Sequence, residues 1–215
     1  TANKQGRVAA VNIAGGDDRF PGVLNSTVWR VFDYCTGWTG MSEDAARRRG
    51  LDVVTVLAPA PDKAHFMPDV GMVYLKLVAN RADRKVLGAQ VTGPGAGDKR
   101  IDVVAMAIAA GMTIDDLANM DLCYSPQYAQ AMDNVHTAAN IARNKLDGWM
   151  TGVTPMDVKA GMDAGEEFFF LDVRSPWEYE QVRLPGARLI PLGSLRGRLE
   201  ELHRDREIVV FCSIS

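Results

Sequence analysis

The sequence predicts an α+β domain, an antiparallel sheet with helices, followed by a smaller and partial α/β unit with a parallel sheet. Three observations carry this. The apolar runs Gly71 to Ala79 and Lys85 to Thr92 flank the turn-rich Asn80-Arg-Ala-Asp83 and read as a hairpin, which makes the first sheet antiparallel. Two longer stretches with helical apolar spacing, Asp98 to Ala110 and Asp133 to Lys145, follow it. After Thr154 short strands and helices alternate, the pattern of a parallel sheet, and the texture of the chain changes near Trp149.

Taken in order, Thr1 to Gly15 reads as helix, with Ala9, Ala10 and Ile13 on one face. Val28 to Tyr34 alternates as a single strand. Ser42 is an N-cap, with Glu43 and Asp44 in the first turn, Arg47 to Arg49 in the last and Gly50 just beyond, so the charges oppose the helix dipole. Asp52 to Leu57 is a β-branched strand. Ile101, Val104, Ala105 and Ile108 form one face of the helix over Asp98 to Ala110. Thr113 with Asp116 has capping-box spacing. Thr154-Pro-Met-Asp157 opens the second unit as N-cap, N1 proline and N3 acid. A strand (Phe168 to Val173), a turn, a strand near Leu189-Ile-Pro191, a helix (Leu195 to Leu202) and a strand (Ile208 to Phe211) complete it.

Composition excludes several classes. A net charge of −3 offers no electrostatic attraction to nucleic acid or an anionic membrane surface. No apolar run approaches the roughly 18 residues of a membrane span. Cys35, Cys123 and Cys212 are scattered, odd in number and contain no Cys-x-x-Cys pair, and His65, His136 and His203 are equally dispersed. That argues against a disulfide framework and a metal site, and for a reducing cytoplasm. Gly93-Pro-Gly-Ala-Gly97 precedes a helix, but Pro94 removes an N–H and the phosphate-loop and dinucleotide spacings both fail, so it reads as a strand-to-helix turn.

Two groups of residues carry a family resemblance. Phe168-Phe-Phe-Leu-Asp-Val-Arg-Ser-Pro-Trp-Glu-Tyr-Glu180, Leu184-Pro-Gly-Ala187 and the strand-then-cysteine Ile208-Val-Val-Phe-Cys212 resemble the first half of a rhodanese domain. Ala2-Asn-Lys-Gln-Gly-Arg-Val-Ala-Ala10, Gly97-Asp-Lys-Arg-Ile-Asp102 and Asp121-Leu-Cys-Tyr-Ser-Pro-Gln-Tyr128 resemble flavin-dependent pyridine nucleotide–disulfide oxidoreductases, in the branch of coenzyme A–disulfide reductases, coenzyme A–persulfide reductases and NADH oxidases. The resemblance implies residues 1–24 as the end of an FAD-binding domain, 25–148 as a dimerisation domain and 149–215 as a rhodanese-like domain truncated at its active-site loop. It implies FAD, NAD(P)H and coenzyme A in the intact parent, none bound tightly by this stretch alone. It also implies a homodimer acting on a small-molecule disulfide or persulfide. The helix at Thr1 and the end at Ser215, short of the family's loop arginine, lead us to expect a piece of a longer protein, inactive by itself.

The resemblance also suggests site residues. Cys212 corresponds to the rhodanese nucleophile, a thiolate held by converging N–H groups; read without the family it is a small apolar residue at a strand end. Tyr124 corresponds to a tyrosine that reaches the partner's active site, where its hydroxyl would stabilise a reacting sulfur; the other reading is interface packing. A second such tyrosine is replaced here by Phe66, which disfavours coenzyme A disulfide and favours a persulfide, a polysulfide or another small acceptor. Lys99 and Arg100 either meet a coenzyme A phosphate or are solvated helix-start charges. Asp172 and Arg174 are expected to fix the strand-end turn. A self-contained sulfurtransferase using Cys212 and a non-catalytic assembly module are the competing readings of the whole.

Overall fold

The computed structural model describes residues 1–203 and 205–213. The chain divides into two compact units, Thr1–Trp149 and Met150–Ser215.

The first unit opens with α1 (Ala2–Ile13), which buries none of its residues; Ile13, on the apolar face expected from its spacing, is 88% exposed. A five-stranded antiparallel sheet follows, in the order β1-β2-β5-β4-β3, from β1 (Thr27–Val31), β2 (Tyr34–Gly40), β3 (Val53–Pro61), β4 (Met72–Asn80) and β5 (Val86–Gly93). The single strand expected over Val28 to Tyr34 is instead a hairpin: Val31 faces Tyr34, and Phe32 turns the chain at φ 53°. A positive φ normally calls for glycine or asparagine, so the turn carries no sequence signature. α2 (Glu43–Arg48) is capped by the Ser42 hydroxyl, which accepts from the Ala45 N–H.

The helices α3 (Asp98–Ala109), α4 (Ile114–Ala118) and α5 (Asn134–Leu146) cover one face of the sheet. Leu75, Leu77, Val91, Ile101, Val104, Ile114, Leu117 and Val135 form the core between them. Each such leucine contributes roughly 1.5–3 kcal/mol by leaving water. Val78, pointing the other way from β4, packs with Ala46 of α2 and Val53, so alternation along one strand serves both layers. Thr113 and Asp116 cap α4 reciprocally, the threonine hydroxyl accepting from the Asp116 N–H at 3.2 Å while the carboxylate accepts from the Thr113 N–H at 2.8 Å.

The second unit contains α6 (Pro155–Asp163), β6 (Phe168–Asp172), α7 (Pro176–Gln181), β7 (Arg188–Leu189), α8 (Leu192–Leu195), a 3₁₀ segment (Arg196–Glu201) and β8 (Glu207–Phe211). Its parallel sheet runs β7-β6-β8, with β6 central and Leu171 and Asp172 buried. Two expectations need correction. The turn after β6 contains a helix, α7, opened by a Ser175–Glu178 capping box with Pro176 behind the cap. The helix expected over Leu195 to Leu202 is instead a short α piece ending at Leu195 and a 3₁₀ segment, Arg196–Glu201, kinked at Arg198. Gly193 and Gly197 weaken helix formation there.

Candidate functional site

In the first unit the candidate residues lie on two loops, 62–71 after β3 and 119–133 before α5. Arg100, in the first turn of α3, joins them and is fully buried. Its guanidinium donates to both oxygens of Asp133 (3.2 and 2.8 Å), to the Ala96 carbonyl (2.7 Å) and to the Asp62 carbonyl (2.7 Å). The Asp62 carboxylate accepts from the Gly71 N–H (2.9 Å) and the Ala96 N–H (3.0 Å). A charge taken out of water must find such partners, and this set supplies them. The loops also touch directly: the Ala64 N–H donates to the Pro126 carbonyl at 3.2 Å, and the Gln130 amide donates to the Pro61 carbonyl at 2.9 Å.

On this platform stand Tyr124, Cys123 and Phe66, all exposed, with His65 edge-on to the Phe66 ring at 5.5 Å. Arg100 is thus neither a solvated helix-start charge nor open to a phosphate arriving from solvent; its guanidinium is buried and donates to the two loops and to the Ala96 carbonyl. Lys99 keeps a third of its side chain exposed and lies 3.5 Å from Asp133. His136 is committed internally as well. Its Nδ1 accepts from the Asp133 N–H at 3.2 Å, so Nε2 carries the proton and donates to the Met120 carbonyl at 2.8 Å. Sequence reasoning missed the roles of Asp62 and Asp133; Asp133, read as the first residue of its helix, is the N-cap of α5.

The 94–97 turn is closed to a dinucleotide. A Cβ at Gly95 would lie 2.5 Å from the Gly71 carbonyl oxygen, and the Ala96 N–H is held by Asp62. The glycine serves close packing against the 62–71 loop, and the turn holds no cradle for the pyrophosphate of FAD or a nicotinamide nucleotide.

In the second unit Cys212 sits half-buried just past β8, and Asp172 is buried at the end of neighbouring β6. Arg174 grips both Asp172 oxygens (3.0 and 2.7 Å), donates to the Val182 carbonyl (2.8 Å) and lies 5.9 Å from the Phe211 ring centre. This pairing holds the Asp172 carboxyl below its ordinary range. Glu178 accepts from the Ser175 hydroxyl and N–H and from the Ser213 hydroxyl at 2.8 Å, so the residue after Cys212 is tied to α7. Those bonds, the Ser175 hydroxyl foremost, lower the Glu178 carboxyl to about 2. The Ser175-Pro-Trp-Glu178 spacing carried this signal in the sequence. A cavity of about 330 Å³ opens beside Cys212, walled by Val182, Leu184, Pro185 and Phe211 and flanked by Arg174 and Arg183. Among the described residues no group of acids, histidines and cysteines could hold a metal ion.

A sheet-and-helix unit joined to a small parallel unit with a cysteine at a strand end is the class of chain these two sites define. Residues 28–136 match the pyridine nucleotide-disulphide oxidoreductase dimerisation domain, and residues 154–215 match the rhodanese-like domain. The chain belongs to the pyridine nucleotide-disulphide oxidoreductase family through its dimerisation domain, and it carries a rhodanese-like domain after it. It is similar to the NAD(P)H sulfur oxidoreductase (CoA-dependent) of Pyrococcus furiosus, 36% identical over 66% of this chain and 32% of that protein. The solved structure of a NAD-dependent persulfide reductase from A. fulgidus matches 99% of this chain and 38% of its own at 46% identity and a TM-score of 0.89. Reduced Bacillus anthracis CoADR-RHD matches 98% of this chain and 38% of its own at 36% identity and a TM-score of 0.88. The chain therefore spans about a third of the length of these proteins.

Proposed function

We propose that this chain is the dimerisation and rhodanese region, residues 25–148 and 149–215, of a homodimeric, cytoplasmic, FAD-dependent reductase. That enzyme takes electrons from NAD(P)H to a coenzyme A persulfide or a related small persulfide. The observation that carries this reading is the likeness of nearly the whole chain, in both units and in one order, to a persulfide reductase at 46% identity. FAD and NAD(P)H supply the electron transfer in the whole protein, and the part taken by the residues described here is to shape and position. In this reading Tyr124 donates its hydroxyl hydrogen to the sulfur that gains charge, and the platform built on Arg100 fixes its loop. Cys212 attacks a sulfane sulfur and carries it as a persulfide. Phe66, beside the Tyr124 loop, preserves an aromatic wall without a donor, which favours a persulfide over coenzyme A disulfide.

The test is NAD(P)H oxidation by the full-length protein, with coenzyme A persulfide and coenzyme A disulfide as acceptors. The persulfide is the better acceptor, Tyr124→Phe lowers kcat by about a hundredfold as loss of one preorganised donor does, and Phe66→Tyr raises turnover of the disulfide. An unchanged kcat in Tyr124→Phe leaves that residue a packing role only. Absence of NAD(P)H-dependent turnover with both acceptors overturns the reading.

A further inference from the structure

The cavity beside Cys212 is flanked by two arginines in opposite states. Arg174 is committed: its guanidinium is held by the Asp172 carboxylate and the Val182 carbonyl. Arg183 is exposed and, among the described residues, forms no ion pair or hydrogen bond. Its guanidinium carbon lies 5.5 Å from the ring centre of Tyr179, and the Tyr179 hydroxyl donates to the Ala187 carbonyl at 3.0 Å. The ring that supports Arg183 is therefore itself pinned, and a stacked guanidinium keeps its planar fork of N–H donors free for an oxyanion. Two carboxylates of this unit are engaged elsewhere, Asp172 by Arg174 and Glu178 by Ser175 and Ser213. The rest of the cavity wall is apolar, so the uncommitted positive charge is its dominant polar feature.

We propose that Arg183 is the specificity-determining residue of the Cys212 cavity, selecting sulfane-sulfur donors that carry an anionic group next to the transferred sulfur over uncharged ones. This rests on the reading of Cys212 as the sulfur acceptor. With thiosulfate, the Cys212 thiolate attacks the outer sulfur. A new S–S bond forms at Sγ, the bond to the sulfonate sulfur breaks, and sulfite leaves with the electron pair. Arg183 meets the sulfonate oxygens in the bound donor and in the departing sulfite. Cyanide then takes the outer sulfur as thiocyanate and returns the thiolate, so atoms and charge balance across the cycle.

The experiment uses the full-length protein with cyanide as acceptor and two donors, thiosulfate and the uncharged dimethyl trisulfide. Arg183→Gln raises the KM for thiosulfate about tenfold, the factor that 1.4 kcal/mol of charge-assisted binding represents, and leaves the trisulfide KM unchanged. Arg183→Lys restores most of the loss, and Arg183→Glu deepens it. Added salt weakens thiosulfate binding in the wild type and has little effect in Arg183→Gln. Cys212→Ser separates the two layers of the argument. If it abolishes transfer while Arg183→Gln leaves the thiosulfate KM unchanged, or raises both donors' KM alike, the role of Arg183 is overturned and that of Cys212 stands. A wild type that uses the trisulfide but not thiosulfate also overturns the role of Arg183. Transfer that survives Cys212→Ser, or a wild type inactive with both donors, overturns both.

Discussion

Replacing Arg100 with methionine tests the buried platform under the Tyr124 loop. The substitution keeps an unbranched stem in a fully buried position while removing the guanidinium. Four contacts disappear: two to the Asp133 carboxylate and one each to the Ala96 and Asp62 carbonyls. Asp133, with only 3% of its side chain exposed, is left with Lys99 at 3.5 Å, the Val135 N–H at 3.1 Å and the His136 N–H of the capping box. Breaking one side of a buried ion pair costs about 3–5 kcal/mol, and the remaining partners place this case near the lower figure. With a urea slope of about 2 kcal/mol/M, a 3 kcal/mol loss moves the midpoint down by about 1.5 M. The loss belongs to the unit Thr1–Trp149, so fluorescence and circular dichroism should show that unit's transition moving alone. Under native conditions, limited proteolysis should cut the 121–132 segment faster. Arg100→Lys recovers part of the stability, because an ammonium cannot reproduce the forked geometry. Pairing Arg100→Met with Asp133→Asn keeps the α5 cap acceptor and removes the stranded charge, so the double variant should lie above the sum of the singles. A midpoint within about 0.5 M of wild type, or strict additivity of the two substitutions, refutes the reasoning.

Two further outcomes follow from local geometry and electrostatics. Phe32, 92% exposed at φ 53°, holds the β1–β2 turn at a conformational cost of about 1–2 kcal/mol; Phe32→Gly relieves that strain against a smaller entropic penalty and raises the urea midpoint slightly, and a lower midpoint contradicts it. Glu178 has its folded carboxyl lowered to about 2, so its stabilisation is complete above the ordinary carboxylate value of about 4.3 and is lost as pH falls from there through about 2. The melting temperature of the wild type should drop toward that of Glu178→Gln across this interval, whereas a constant difference between the two from pH 7 to pH 2 contradicts the assignment.

What could be read in the sequence was mostly local. Ser42, Thr113 and Thr154 announce their helices because a cap joins a side chain to a backbone N–H three residues away. The strand leading to Cys212 and the antiparallel hairpin of β4 and β5 were equally legible, since burial and alternation are written into consecutive residues. The β1–β2 turn was not, because Phe32 occupies a backbone conformation that its side chain disfavours and only the surrounding ladder enforces. α7 was overlooked because Pro176 resembles a turn residue until its place just after the Ser175 cap is known.

The site shows the same division. Sequence by itself determined the two-part organisation suggested by the family resemblance, the cysteine at a strand end and the aromatic pair Phe66 and Tyr124 as candidates. Tertiary structure decided which charges are free to act. Arg100 looks like any surface cation in the sequence, yet folding brings it to an aspartate 33 residues away and a carbonyl 38 residues away, and seals it from water. Arg183, eleven positions past Asp172, forms no ion pair or hydrogen bond among the described residues. The physical reason is that capping and alternation act over a few residues, whereas the fate of a charge depends on long-range partners and on the low dielectric created when distant segments pack.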